Sequence, residues 1–219
     1  MDYPHSDWHH CVGGGASLIH NQQKESNWGH SVTRGKWATL ALFLTLFLGP
    51  AFEAAPQESA GVWLDVPFVK QSEDGCGSAV ISMVLRYWSG HGVRVDAQRA
   101  DPSAIQKQLY SQKARGIFAS DMENYFHGSR FRVFLLDGSW ADLEEHLKQG
   151  RPLIVSLQPG SAKSPLHYVV VTGIDWQHDA VFVHDPARGK LLRIERADFE
   201  KQWRSNRNWL LLAVPEKAA

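Results

Sequence analysis

Residues 71–88 read QSEDGCGSAVISMVLRYW, and this stretch places a single thiol at the start of an apolar helical pattern. From Ala79 onward, apolar residues recur three and four positions apart, which predicts a helix over residues 75–88. Cys76 lies between two glycines where that helix begins. A helix N-terminus favours negative charge and therefore suits a thiolate. The polar, glycine-rich surroundings favour a reactive cysteine over a buried structural one.

The number of cysteines points in the same direction. The chain has two, Cys11 and Cys76. Residues 35–51 combine a basic flank, a short uncharged apolar run and small residues at the end, which is typical of a secretory signal peptide. Cleavage after Ala51 would remove Cys11 and leave Cys76 without an internal partner. An unpaired cysteine in an exported protein indicates either an intermolecular disulfide or a reactive thiol.

The pattern divides the chain into four segments. Residues 1–34 form a polar leader, which we expect to be disordered or to precede the true translation start. Residues 35–51 are the predicted signal peptide, residues 52–60 a linker and residues 61–215 the folded domain. An alternative is that residues 37–51 remain as a membrane anchor, although a membrane-spanning helix takes about 20 residues. The expected location is therefore periplasmic or extracellular.

Composition excludes several classes of function. Hydrophobic residues make up 43% of the 219 residues, enough for a core, and Lys+Arg equals Asp+Glu at 23 each. Balanced charge provides no general attraction to nucleic acid or to an anionic membrane. We expect membrane contact only through the signal segment, if it is not cleaved. The leader histidines His5, His9 and His10 could in principle bind a metal, but we predict neither a metal nor a cofactor site.

Helix signals precede most of the strand signals in the predicted domain. Asp101 followed by Pro102 is typical of a helix start, and predicts a helix over residues 101–113. Ser120 is the predicted N-cap of a short helix that ends near Gly128. The domain therefore begins with helices.

The second half of the domain is rich in strands. Ser139 and Asp142 predict a capping box for one more helix, which Gly150 follows. Alternating or continuous apolar runs predict strands near residues 131–138, 151–158, 167–175, 180–186, 190–199 and 209–215. A short helix is expected near residues 198–203, between the last two. Helices followed by an antiparallel sheet indicate an α+β fold.

A thiolate used in catalysis needs a nearby base and a third group that orients the base. His167 and His184 each lie at the end of an apolar strand, whereas the later chain's other histidines fall in loops, turns or surface helices. Residues 167–186 predict a hairpin whose turn brings His167 opposite Asp185, or within about two residues of it. His184 points to the opposite face from its neighbour Asp185. Cys76, His167 and Asp185 are the predicted set, provided the register does not slip by one residue.

Gln71 lies five residues before Cys76. Acyl transfer passes through an oxyanion that a backbone N–H and a side-chain amide can stabilise together. The Gln71 amide could lie beside the Cys76 backbone N–H and supply the second donor. The alternative is that Gln71 is an ordinary exposed loop residue. Only the presence of Cys76, His167 and Asp185 favours the catalytic interpretation.

Three blocks of this sequence resemble C39-type peptidases. DVPFVKQSEDGCGSAVISMVL is similar to the family's opening motif, and LHYVVVTGID and VFVHDPARGK resemble its histidine and aspartate strands. The resemblance covers roughly residues 66–209. It implies a papain-like fold in which Gln71 is the oxyanion donor, Cys76 the nucleophile, His167 the general acid/base and Asp185 its orienter.

Two features differ from the family pattern. Ser78 stands where many relatives have proline, and the chain shows neither the helices nor the ATPase of peptide-exporting transporters. The double-glycine leader substrate of such transporters is therefore not carried over. The sequence predicts an exported cysteine peptidase acting on a peptide or protein. The alternatives are another thiol acyl-transfer enzyme, of transglutaminase or amidase type, and a non-catalytic peptide-binding module.

Overall fold

The computed structural model describes residues 60–160 and 164–216, all of which belong to the unit Ala54–Ala219. The predicted leader and signal peptide, and nearly all of the linker, lie outside the described residues and stay predictions. Within the described ranges, no helix has the length and apolar character needed to cross a bilayer.

The central helix α1 spans Cys76–Gly90. It begins at the cysteine itself, one residue later than predicted, and continues for two residues past Trp88. Every residue from Gly77 to Leu85 is buried. Small residues at the first turn, including Ser78 and Ala79, allow the rest of the protein to approach this part of the helix closely. The helix carrying the thiol is therefore the buried centre of the first layer.

Two shorter helices pack beside α1. Helix α2 spans Pro102–Leu109, and the Asp101 carboxylate accepts a hydrogen bond from Ala104 N at 2.7 Å, which confirms the predicted cap. The helix ends four residues earlier than predicted because the chain turns back, with Ser111 paired to Gly116. This turn sends the following loop toward the start of α1.

Helix α3 spans Ala119–His127. The prediction that Ser120 caps it is wrong, since Phe118 occupies the N-cap position and no side chain caps the helix. Burial explains the shift, because the helix must start early enough to turn Met122 and Phe126 into the core. Packing of its apolar face thus decides where this helix begins.

Within the described residues, seven strands form one sheet in which every pairing is antiparallel. The spatial order is β2-β7-β3-β4-β5-β6, and β1 also pairs with β4. The capping box of Ser139 and Asp142 is present at the start of α4, as predicted. The remaining elements are β1 (Gly61–Trp63), β2 (Phe131–Asp137), α4 (Trp140–Lys148), β3 (Leu153–Leu157), β4 (His167–Asp175), β5 (Ala180–Asp185), β6 (Gly189–Glu195), α5 (Arg196–Arg204) and β7 (Trp209–Pro215).

Helices cover both faces of the sheet. Ile154, Val170 and Leu211 pack with α1, α2 and α3, whereas their neighbours Val155 and Val169 belong to the cluster that includes α4 and α5. Because helices cover both faces of the sheet, all five residues of β3 are buried, and all of them except Ser156 are apolar. The α+β class is confirmed, with helices on two faces of the sheet.

The hairpin of β4 and β5 determines which residues meet at its open end. Asp175 pairs with Ala180, so residues 176–179 form the turn. An irregularity between Val171 and Gly173 then shifts the register. His167 and Asp185 still lie at the same end of the sheet, as the first residue of β4 and the last of β5.

Candidate active site

Cys76 is the first residue of α1 and is only partly buried. Gly75 occupies the N-cap position, no side chain caps the helix, and its first turn contains no acidic residue. The N–H groups that begin a helix have no partner within it, so the uncapped end favours an anion. Asp74 reaches this turn through a left-handed conformation with φ of +50°. The local structure therefore suits a thiolate.

The loop between α2 and α3 packs directly against the cysteine turn. A Cβ added to Gly77 would lie 2.9 Å from Ile117 Cβ, so the helix and the loop touch at a position without a side chain. Arg115 Nε lies 3.5 Å from Asp74 Oδ2. The Tyr110 hydroxyl donates to the same carboxylate at 3.4 Å. These contacts make the loop one wall of the site, which the sequence had not predicted.

His167 and Asp185 form a close pair. His167 Nε2 lies 2.7 Å from Asp185 Oδ1, and the side chains are 17% and 8% exposed. Asp185 Oδ1 also accepts hydrogen bonds from the backbone N–H groups of Ala187 at 2.9 Å and Arg188 at 3.2 Å. The loop after β5 therefore fixes the carboxylate, and the carboxylate orients the imidazole.

Electrostatics links this pair to the thiol. Burial lowers the pKa of His167, but hydrogen bonds to Asp185 and Cys76, together with their charges, raise that pKa to about 9. Burial acts to raise the pKa of Asp185. The hydrogen bond and charge of His167, together with the backbone N–H groups of Ala187 and Arg188, outweigh burial and hold that pKa below its usual value. Because Nε2 faces Asp185, Nδ1 is the ring nitrogen left for the thiol. The structure thus brings the three predicted residues together.

Gln71 lies beside the same loop. Its backbone N–H donates to the carbonyl of Pro186 at 3.0 Å, the residue after Asp185. In the described part of the chain, its side-chain Oε1 is buried without a hydrogen-bond partner. The main chain of Gln71 is therefore tied to the aspartate loop, and its part in the chemistry stays a prediction.

His184 has a structural position. It is buried, its Nε2 lies 2.8 Å from the carbonyl of Val66, and Leu191 N donates to its Nδ1 at 3.1 Å. Burial lowers the pKa of this imidazole. Both ring nitrogens of His184 therefore have partners other than Asp185. This agrees with the prediction that His167, and not His184, is the partner of Asp185.

Tyr168 is a residue near the thiol that the sequence analysis did not single out. Burial and the charge of Cys76 raise its pKa to about 12, so the hydroxyl remains protonated. Its ring packs against Trp209, with centroids 5.4 Å apart. Its position directly after His167 could have indicated that it lies near the site. The strand pattern by itself predicted only that Tyr168 is in an extended segment.

A metal centre finds no support in residues 60–160 and 164–216. No group of three or more His, Cys, Asp or Glu side chains in these ranges is arranged to hold an ion.

Solved structures of similar fold include two from named bacteria. A Bacillus anthracis protein solved as a C39-like peptidase has a TM-score of 0.54 and 19% identity, with 73% of this chain and 100% of that one covered. The peptidase domain of Streptococcus ComA, a bifunctional ABC transporter, has a TM-score of 0.53 and 20% identity, covering 68% and 98%. At these identities the likeness demonstrates a shared fold.

A third similar structure is a double-glycine-motif protease from an AMS/PCAT transporter, solved with its leader peptide. Its TM-score is 0.51 at 17% identity, and 71% of this chain and 95% of that one are covered. A comparison of this chain with curated proteins found no match. The sequence model of the Peptidase_C39 like family matches residues 63–209, which is most of the chain. The protein therefore belongs to the Peptidase_C39 like family.

Proposed function

We propose that this protein is an exported cysteine peptidase that hydrolyses peptide bonds with Cys76 as its nucleophile. The observation that carries the proposal is the 2.7 Å contact between His167 Nε2 and Asp185 Oδ1, with Cys76 close enough to the same imidazole to help raise its pKa. A nucleophile, its base and an orienting carboxylate in this order are the requirements of covalent acyl transfer. Membership in a family of C39-like peptidases supports the same reaction.

The proposed reaction uses each of these groups in turn. His167, as imidazolium, holds the proton that the Cys76 thiol gives up, and the thiolate attacks the peptide carbonyl carbon. The tetrahedral intermediate collapses as the imidazolium gives its proton to the leaving amine, which breaks the C–N bond and leaves a thioester. Water, deprotonated by His167, then attacks the thioester, releasing the acid and restoring the thiol.

Gln71 is proposed as an oxyanion donor. Negative charge develops on the carbonyl oxygen during both attacks, and preorganised donors stabilise it. The uncapped N-terminus of α1 supplies backbone N–H groups at Cys76. The bond from Gln71 N to the Pro186 carbonyl supports a position for its side-chain amide on the same side of the cleft.

Peptides are the proposed substrate class, and the environment is proposed to be periplasmic or extracellular. A similar structure that holds a leader peptide supports a peptide ligand. The signal-like segment at residues 35–51 supports export. No organic cofactor or metal takes part in the proposed steps.

The deciding experiment is hydrolysis of an internally quenched peptide library by the wild type beside Cys76→Ala. We expect turnover by the wild type and none by the variant, because the variant lacks the nucleophile. Equal turnover would contradict the assignment. Adding an excess of a primary amine separates hydrolysis from transfer, since a transglutaminase-like enzyme would attach the amine to the acyl group. Peptide binding without any turnover would instead identify a non-catalytic module.

A further inference from the structure

Strand β2 is an edge of the sheet, and half of its backbone groups point away from β7. Residues Phe131–Asp137 pair with β7 without an irregularity. Gly138 N donates to the carbonyl of Asn208, and Glu216 N donates to that of Arg130. Bonded pairs alternate along an antiparallel ladder, so the even-numbered residues of β2 bond to β7. The N–H and C=O groups of its odd-numbered residues point outward, and within the described residues they have no hydrogen-bond partner.

Large apolar side chains are exposed on the same strand. Phe134 is 43% exposed and Leu135 is 41% exposed. Because neighbours in a strand point to opposite faces of the sheet, both faces of this edge carry an exposed apolar side chain. A regular, apolar edge with unpaired backbone groups is a template for another extended chain.

The edge at the other end of the sheet, β6, is protected. Its pairing with β5 is irregular beside Asp185, and Leu191 has a φ of +52°. Lys190 and Arg193 add charge along the strand. Irregular pairing and charged side chains are devices that keep an edge from pairing. Strand β2 has no irregularity, and Arg132 is the only charged residue before its last position.

Two copies of β2 fit each other in an antiparallel register. Outward-pointing residues must face outward-pointing residues for the hydrogen bonds to form, and a two-fold axis relates the strands of a symmetric dimer. The register that pairs all seven residues has its axis at Phe134, which then faces Phe134 of the second copy. Val133 faces Leu135 of the second copy in a hydrogen-bonded pair. This register covers both exposed apolar side chains of β2.

The charges of β2 agree with this pairing. The strand directly follows Arg130, contains Arg132 and ends at Asp137. An antiparallel pair brings the acidic end of each copy beside the basic start of the other, whereas a parallel pair would align like charges. Arg207 Nη2 lies 2.7 Å from Oδ2 of Asp137, which leaves Oδ1 for the second copy.

We propose that the protein forms a symmetric dimer in which the β2 strands of two copies pair antiparallel about Phe134 and join their sheets. His167 is on β4, three strands away from β2 in the sheet. The dimer contact is therefore separate from the candidate active site, and the inference does not depend on the proposed function.

The first test is sedimentation velocity of the exported protein at about 1–100 μM, the range in which a small interface associates. Phe134→Lys and Phe134→Glu each place like charges opposite each other at the axis, and each is expected to raise the dimer Kd at least about tenfold. An equimolar mixture of the two variants is expected to associate again, because lysine then faces glutamate. The matched control is Leu191→Lys, since Leu191 is 50% exposed on the other edge. It should dimerise as the wild type does.

A disulfide tests the register. Facing residues that share no backbone hydrogen bond have Cα atoms about 4.5 Å apart, within the range that a disulfide needs. In a Cys11→Ala, Cys76→Ala background, Phe134→Cys is expected to form a covalent dimer on oxidation. Leu135→Cys is the control, because its counterpart in the second copy lies two residues further along the strand. It should remain monomeric on non-reducing electrophoresis.

Three results would overturn the inference: a wild type that is monomeric at every concentration, Phe134 variants that associate as the wild type does, or a mixture no more associated than either variant alone. The last result would indicate another occupant of the edge, such as residues 52–59. A Tm near that of the wild type shows that the Phe134 variants are folded. If they do not fold, cross-linking decides, and a covalent dimer of Leu135→Cys without one of Phe134→Cys contradicts the register.

Discussion

The imidazole of His167 lies between two groups that both favour its protonated form. The Asp185 carboxylate accepts a hydrogen bond from one ring nitrogen, and the interaction with Cys76 also raises the pKa of the ring. A pKa of about 9 keeps the ring charged through neutral pH. An adjacent imidazolium favours the thiolate, which is the nucleophilic form of cysteine.

At this scale the prediction concerns alkylation of Cys76 by iodoacetamide. At mildly acidic pH a free cysteine is almost entirely thiol and reacts slowly. We expect the wild-type rate to exceed that of His167→Ala by about tenfold or more, because the variant lacks the imidazolium partner. His178→Ala, which removes an exposed histidine in the β4–β5 turn, serves as the control. Equal rates for wild type and His167→Ala would contradict an interaction between the His167 imidazolium and the Cys76 thiolate.

Two glycines of α1 have opposite surroundings at the scale of the element. Gly77 lies where a Cβ would approach Ile117 Cβ to 2.9 Å, and Ile117 is part of the core. Gly90 is the last residue of the same helix, and no atom of the described residues lies within 4 Å of such a Cβ there. The same substitution therefore strains one end of the helix and relieves the other.

Gly77→Ala is expected to lower the free energy of unfolding by about 1–3 kcal/mol, because the loop must move away from the helix. Gly90→Ala is expected to raise it by up to about 1 kcal/mol, since alanine favours the helix more than glycine does. Urea denaturation of both variants measures the two effects. Effects of the same sign would contradict this account of the close approach.

The pairing of His167 on β4 with Asp185 on β5 makes the stability of the fold depend on pH. The raised pKa of His167 contributes stability fully below its unfolded value of 6.5, and that contribution is lost as pH rises through about 9. The lowered pKa of Asp185 contributes above 3.8 and is lost as pH falls through its folded value. Both contributions are present together from weakly acidic to neutral pH.

Asp185→Ala should therefore reduce Tm most between about pH 4 and pH 6.5, with the difference from wild type narrowing toward pH 9. The shift of the His167 pKa from 6.5 to about 9 corresponds to about 3 kcal/mol, part of which comes from the thiolate. Asp179→Ala, in the exposed turn of the hairpin, is the control. A difference in Tm that stays constant across this range would contradict the coupling.

For the whole molecule, the predicted division into a signal peptide and a mature domain can be measured directly. Residues 35–51 carry the signal-like pattern, and the matched family region starts later, at residue 63. We expect the protein recovered from a secreting host to begin at Phe52, since cleavage is predicted after Ala51. N-terminal sequencing of the exported protein checks this. Recovery of the uncut chain in the membrane fraction would favour the anchor.

Sequence alone determined much of this protein because the signals involved are local. Period and capping located α1, α2 and α4, and strand alternation separated His167 from His184 as the partner of Asp185. These features depend on residues a few positions apart, where backbone geometry limits the choices.

Tertiary structure decided the features that depend on contacts between distant segments. Burial of the apolar face of α3 overrode Ser120 as its cap, and the chain turned back after Leu109 to bring Ile117 against Gly77. Only the folded chain engages His167 Nε2 with Asp185, leaving Nδ1 for Cys76. The physical reason is that packing and desolvation act through space, and no sequence period records which surfaces they bring together.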